Sequence, residues 1–351
     1  MIKKIATMAL CATSTLSAQI VYEGGTGAGE GKHLVFIASD HEYRAEETLP
    51  ALARIMAKHH GFKCTVLFGT DEEGFIKPGE SNIEGLEALE TADGAIFFIR
   101  FLDLPDEQMK YIANYLDKGG PIVGLRTSSH GFKIPEGKAY SHFDFKSKAE
   151  GFEGGFGQTY LGNTWEGHYG RNHVQGTRIQ IIPEKKEHVI LRGVEDNAFC
   201  HAGGYEAVVR ERMEPLTNSQ PLTSMEPDGE ADPKMPPMAS TWTFSYAGKD
   251  GKMNRAFHST QGASQDILDD NYRRMIVNGI FWSVGLEDSI KADGDVSFVG
   301  PYKPTTFFTG GGVQGVKPAD LASYDSLIGS ETPIERPKRK AKAKKKPAAQ
   351  K

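Results

Sequence analysis

Cysteine is scarce, with three residues in a chain of 351, and Cys11 falls within an N-terminal export-like segment. The other two, Cys64 and Cys200, cannot build a disulfide framework. Cys64 lies in a strand-like run and reads as a small buried residue. Long apolar runs are also missing. Residues 5–12 are apolar but too few to anchor in a bilayer, and nothing else approaches that length, so no transmembrane anchor is expected. Acidic residues are absent from 338–351, which carries eight Lys or Arg and leaves the remainder at −13 against an overall −5. A basic run without apolar residues stays solvated and is free to touch anionic polysaccharide, nucleic acid or a membrane surface. The acidic body argues against nucleic acid as the main ligand.

What is present points outward first. Met1-Ile2-Lys3-Lys4 is a short basic start, the apolar run follows, and residues 14–18, small apart from Leu16, make a cleavage region ahead of Gln19. This is the build of a cleaved export signal, so a periplasmic or secreted protein is expected. Leu10 before Cys11 argues against a lipoprotein box.

Glycine is abundant at 40, and 19 Phe and 12 Tyr are enough for a real core. Apolar runs at 34–38, 64–68, 95–99 and 122–125 read as buried strands. Between them, helical spacing places Leu49, Leu52, Ala53 and Met56 on one face over 46–60. It does the same for Met109, Ile112, Ala113 and Leu116 over 106–117. A short helix is expected at 83–89. Strand and helix alternating through short connections is the pattern of a doubly wound, mostly parallel α/β sheet. From 134 to 175 periodicity is lost, as in long binding loops or lids. Thr177 to Ile182 reads as a strand, 217–237 as a Pro-rich exposed loop, 239–246 with 255–259 as a hairpin, and 271–284 as a helix.

Three predicted strands end in polar clusters, and ligands in open parallel sheets bind beyond the carboxyl ends of the strands. The first cluster is Asp40, His41, Glu42 and Arg44, in the polar loop 39–44. The second is Arg100. The third is Arg126 to His130, entered from Gly119-Gly120-Pro121. That turn has the build of a strand-to-helix elbow whose apex is Arg126, a side chain that stays protonated and cannot attack carbon. Ser128 and Ser129 supply hydroxyls; capping of the next turn explains them as well. Trp165, His168, His173, His201, His258 and Gln261 complete the candidates. Histidine moves protons near neutral pH, and a cation steadies developing oxyanion charge. His130, His168 and Glu42 suit the proton roles and Arg126 the cation role, which makes these four the expected catalytic set. The others are expected to bind substrate. For a lone histidine such as His258 a hydrogen-bonded structural place is an equal reading, and Trp165 and Trp242 serve packing as readily as sugar stacking. A divalent metal on Asp40, His41, Glu42, His168 and His173 stays open, since no short His-x-x-x-His or Cys-rich motif accompanies them.

Several stretches together resemble the ThuA-like (trehalose utilisation) family. They are the Asp40-His41-Glu42 loop, Gly124-Leu125-Arg126, and His188-Val189-Ile190-Leu191-Arg192-Gly193. With them stand Arg255-Ala256-Phe257-His258-Ser259-Thr260-Gln261-Gly262 and Asn278-Gly279-Ile280-Phe281-Trp282-Ser283-Val284-Gly285. The resemblance implies a flavodoxin-like, class I glutamine amidotransferase-like fold over 33–287. Flanking it are a signal peptide at 1–18, a linker at 19–32, a C-terminal extension at 288–332 and a disordered basic tail at 333–351. Amidotransferases carry Cys at the elbow and many ThuA-like members His; this chain carries Arg126, so glutaminase chemistry is not expected. The family implies work on oxidised disaccharides or glycosides, by hydrolysis, elimination or isomerisation of a small-molecule or oligosaccharide substrate. A non-catalytic carbohydrate-binding protein that retains the cleft is the alternative.

Overall fold

The computed structural model describes residues 19–336. The expected signal peptide and all of the basic tail beyond 336 lie outside the described residues. In chain order the elements are β1 (Gln19–Tyr22), β2 (His33–Ser39), α1 (Ala45–His60), β3 (Lys63–Phe68), β4 (Gly94–Ile99), α2 (Asp106–Asp117) and β5 (Ile122–Leu125). Next come α3 (Gly155–Leu161), β6 (His168–Tyr169), β7 (Thr177–Ile181), β8 (Ala198–Cys200), β9 (Gly204–Tyr205) and β10 (Met213–Pro221). The chain continues through β11 (Met238–Ala247), β12 (Met253–Ser259), α4 (Asp270–Ser283), β13 (Tyr302–Lys303) and β14 (Ile328–Gly329).

One ten-stranded sheet runs β1-β3-β2-β4-β5-β12-β11-β10-β7-β8. Its centre, β3-β2-β4-β5-β12, is parallel. Every residue of β4 and β5 is buried, as expected of strands covered on both faces. Even positions of β2 (Leu34, Phe36, Ala38) face α1 and α4, and odd positions (Val35, Ile37) face α2 and α3. Leucines and methionines at helical spacing supply the covering faces, and α1 stops at Gly61 with φ 82°, a left-handed cap that glycine takes without strain. In register, Ser39 lies opposite Ile99 and Ser259 opposite Leu125, so the loops after β2, β4, β5 and β12 all open on one edge.

Three expectations need correction. Gln19–Tyr22 is not linker but the edge strand β1, antiparallel to β3, with Ile20 and Tyr22 buried and Val21 exposed. Four residues give only one period of alternation, too little to stand out beside the signal. Residues 217–221 are not loop but the second half of the inner strand β10, between β7 and β11. Pro215 and Pro221 argue against a strand, and the ladder absorbs them with register shifts around Thr217. The short helix at 83–89 is a 3₁₀ stretch, Leu86–Thr91.

Residues 288–332 are built into the fold. Val296, Phe307, Leu321 and Ile328 are buried with the α1 face of the core. Glu47 of α1 accepts from Thr305 N (2.8 Å) and Thr305 Oγ1 (2.6 Å). Burial, with Glu46 beside it, pushes the Glu47 carboxyl up to about 8. Between its ordinary carboxylate pKa and 8 the native state therefore holds a proton that the unfolded chain releases. Stability falls as pH rises through that window and levels above it. Glu47→Gln keeps the neutral shape, so its Tm should fall less from pH 5 to pH 9, ending about 2–4 °C above wild type at the alkaline end. Parallel Tm-against-pH curves for the two proteins would refute this.

Candidate functional site

The loop after β2 begins with Asp40, whose Oδ1 accepts the backbone N–H of Glu42 (2.8 Å) and of Tyr43. That turn throws Glu42 toward Arg100, at the end of β4, and the two form an ion pair through Arg100 Nη1. Burial alone would raise the Glu42 pKa; Arg100 outweighs it and holds the carboxyl below its usual range. Arg100 Nε and Asp40 Oδ2 are buried with no protein partner.

Arg126 sits at the apex after β5 with φ 44°, a left-handed conformation that side-chain-bearing residues rarely adopt. The elbow geometry read from Gly124-Leu125-Arg126 is thus present, continued by a 3₁₀ turn, Arg126–His130. The guanidinium is fully buried. Nη1 donates to Gly203 O (2.6 Å) and Thr260 O (2.9 Å), and its carbon lies 3.7 Å from the Tyr43 ring centre and 4.8 Å from that of Tyr205.

Asn172 ties this cation to the imidazole above it. Its Oδ1 faces two donors, Arg126 Nη2 and Gly203 N (both 3.4 Å), so its Nδ2 donates to Tyr43 Oη (2.6 Å). The Tyr43 hydroxyl proton is then free for His168 Nε2, 3.3 Å away. This orientation makes Nε2 the acceptor and leaves the ring proton on Nδ1. His168 is exposed on one side and flanked by Trp165 and Tyr205 on the other. Burial of its inner edge, and then Arg126, hold it down to about 4, so it is neutral at neutral pH.

His130 lies deeper, among Phe101 (5.0 Å), Trp165 (5.1 Å) and Tyr205 (5.4 Å), with Nδ1 3.2 Å from Ser129 Oγ. Burial, then Arg100 and Arg126, push its pKa well below the ordinary value. The expected catalytic four therefore fall in two layers: Glu42 and His168 border solvent, and Arg126 and His130 lie beneath them.

The remaining candidates divide. His41 and Trp165 are half-buried at the same edge. His173, with φ 63°, packs on Phe307 at 4.7 Å. Gln261 lies beside Gly204, its Nε2 buried without a partner. Arg44 turns away to hold the carbonyls of Phe308 and Gly311. Ser128 is committed to Phe97 O (2.7 Å), and His201 packs on Phe199. His258 is inside the sheet against Trp242 (4.7 Å), and burial holds it down to about 3. Among the described residues no three His, Cys, Asp or Glu side chains are placed to hold a metal ion. Tyr43, Asn172 and Tyr205 were missed as site residues. Tyr43 and Asn172 lie inside polar segments already singled out, and Tyr205 follows the Gly203-Gly204 step that lets the backbone approach Arg126.

No family model matches the chain, and no curated protein matches it. Solved structures do. One from Bacteroides uniformis, 13% identical, covers 77% of this chain and 98% of its own, with a TM-score of 0.48. One from Parabacteroides merdae, 12% identical, covers 72% and 90%, with a TM-score of 0.39. Both are described as ThuA-like. The N-terminal domain of mmIFT52 also matches, 11% identical, over 72% of this chain and 98% of its own, with a TM-score of 0.39. Among the described residues no helix is long and apolar enough to cross a membrane.

Proposed function

We propose that this edge of the sheet binds an oxidised, carbonyl-bearing sugar or glycoside and moves a proton on it. The observation that carries this is the Glu42–Arg100 pair: an ionised carboxylate at the rim, held by a guanidinium whose Nε has no protein acceptor. Glu42 takes the proton from the carbon beside the carbonyl. The electron pair moves onto the carbonyl oxygen, and the Arg100 guanidinium, which reaches the surface at this edge, steadies the enediolate. Collapse either expels an alkoxide from the β carbon, which takes the proton held by Glu42, or passes the enediol hydroxyl proton between the two oxygens while Glu42 returns its proton to the former carbonyl carbon; the first is elimination and the second isomerisation. Neutral His168 offers Nδ1–H to a substrate hydroxyl, and Trp165 offers a ring face. Arg126 and His130 support the rim from below. Buried polar atoms without partners gather here, on Asp40, Arg100, Arg126, Trp165, Tyr205 and Gln261, and a polyol supplies both donors and acceptors to such a set.

The finer fold assignment belongs to the same reading. The β3-β2-β4-β5-β12 order and the strained apex at Arg126 support a flavodoxin-like, class I glutamine amidotransferase-like core. So does export, on the composition of residues 1–18, which would have the site work outside the cytoplasm.

The test is turnover of glycosides and their 3-keto forms, with and without chelator. Glu42→Gln should lower kcat by about 100-fold or more with KM little changed. Wild-type binding without turnover of any of these compounds would instead identify a non-catalytic carbohydrate-binding protein.

A further inference from the structure

Residues 300–329 form a strap across α1, and we infer that Phe307 within it is a positioning residue for the Tyr43–His168 pair. The strap is pinned on both sides of Phe307. Thr305 binds Glu47, and Arg44 holds the carbonyls of Phe308 and Gly311. Gly310 N donates to His41 O (3.1 Å), which ties the strap directly to the first polar loop. Phe307 itself is buried, 5.2 Å from the Tyr43 ring and 4.7 Å from the His173 ring. It is a wedge: the Phe307 ring and the Arg126 guanidinium both pack against the Tyr43 ring, at 5.2 and 3.7 Å. With the wedge in place, the Tyr43 hydroxyl is fixed between Asn172 Nδ2 and His168 Nε2.

The inference rests on the proposed role of His168 only for its effect on catalysis; the positioning is read without substrate. The measurement is the NMR titration of the His168 ring in the full chain. The charged and polar groups bearing on that ring are Arg126, Glu42, Arg100, His130, Tyr205 and the Tyr43 hydroxyl, and of these only Tyr43 touches Phe307. Removing the wedge lets Tyr43 turn, so that its hydroxyl no longer donates to Nε2 and the neutral ring loses the bond that favours it. Phe307→Ala should therefore raise the midpoint toward the ordinary histidine value by about half a unit or more. Phe307→Leu, which keeps most of the volume, should shift it the same way by less, and serves if the alanine variant does not fold. In a Tyr43→Phe background Phe307→Ala should add no further shift, because the hydroxyl it positions is gone. Phe298→Ala is the control. Phe298 stacks on Tyr302 at 4.4 Å in the same C-terminal segment, with Arg273 over its other side, so its loss should lower Tm and leave His168 alone. An unchanged midpoint in both Phe307 variants, or an equal shift in Phe298→Ala, overturns the inference. If His168 moves as expected while no sugar is bound or turned over, the inference stands and the proposed function fails.

Discussion

Arg126→Ala should cost the folded state about 3–5 kcal/mol, read as a lower urea midpoint. Two effects add. The carbonyls of Gly203 and Thr260 lose a charged donor at 2.6 and 2.9 Å inside the protein, where no water replaces it cheaply. The Tyr43 and Tyr205 rings lose the flat cation between them. Alanine also gains nothing at φ 44°, since its Cβ meets the same backbone clash. Arg126→Lys should recover only part of the loss, because an ammonium is a compact point charge that cannot serve the two carbonyls from one nitrogen and Asn172 Oδ1 from another while its plane lies against two rings. Asp266 crosslinks the same two loops by accepting from Ala202 N, Gly262 N and Ala263 N, all at 3.0 Å, so they remain joined without Arg126. The expected outcome is thus a weakened but cooperative fold with a loosened site floor. A variant within 1 kcal/mol of wild type would show that the buried guanidinium contributes to function alone.

Much of this arrangement was legible in the sequence, and the reason is physical. Runs such as 34–38 and 95–99 are too apolar and too short to be anything but covered strands, and the polar residues that end them must lie on one edge once the strands are parallel. That logic brings Asp40, Glu42, Arg100, Arg126 and His130 together from the sequence alone. What it could not give was depth. Arg126 and Glu42 both look like rim residues in one dimension. Only the Gly203 and Thr260 carbonyls, from distant loops, draw the guanidinium down while the carboxylate stays at the surface. Arg44 fell within the same polar run as Glu42, yet its partners are Phe308 and Gly311, far along the chain. The strap was illegible for a similar reason. Its anchors are backbone carbonyls bound by buried arginines, and a carbonyl leaves no mark in the sequence.

The clearest measure of those anchors is Arg54. Its side chain is fully buried in α1 and donates from Nε to Tyr22 Oη (3.1 Å), from Nη2 to Leu321 O (2.9 Å) and Ser323 O (2.6 Å), and from Nη1 to Ser326 O (2.8 Å). Tyr22 Oη in turn donates to Leu321 O (2.6 Å), so one guanidinium joins β1, α1 and the far end of the strap. Arg54→Ala strands these acceptors in a site sized for the missing side chain, and a loss of about 3–5 kcal/mol is expected. Amide exchange over 318–329 should quicken beyond what the global loss explains, because those carbonyls have lost their common donor. The 305–312 half of the strap keeps Arg44 and Glu47, so Phe307 stays wedged and the His168 titration should not move. Arg54 and Arg126 share no hydrogen-bond partner, and the double variant should be additive to within about 0.5 kcal/mol. A larger deviation, or a His168 shift in Arg54→Ala, would mean that the strap docks as one rigid piece and that its two halves cannot be loosened separately.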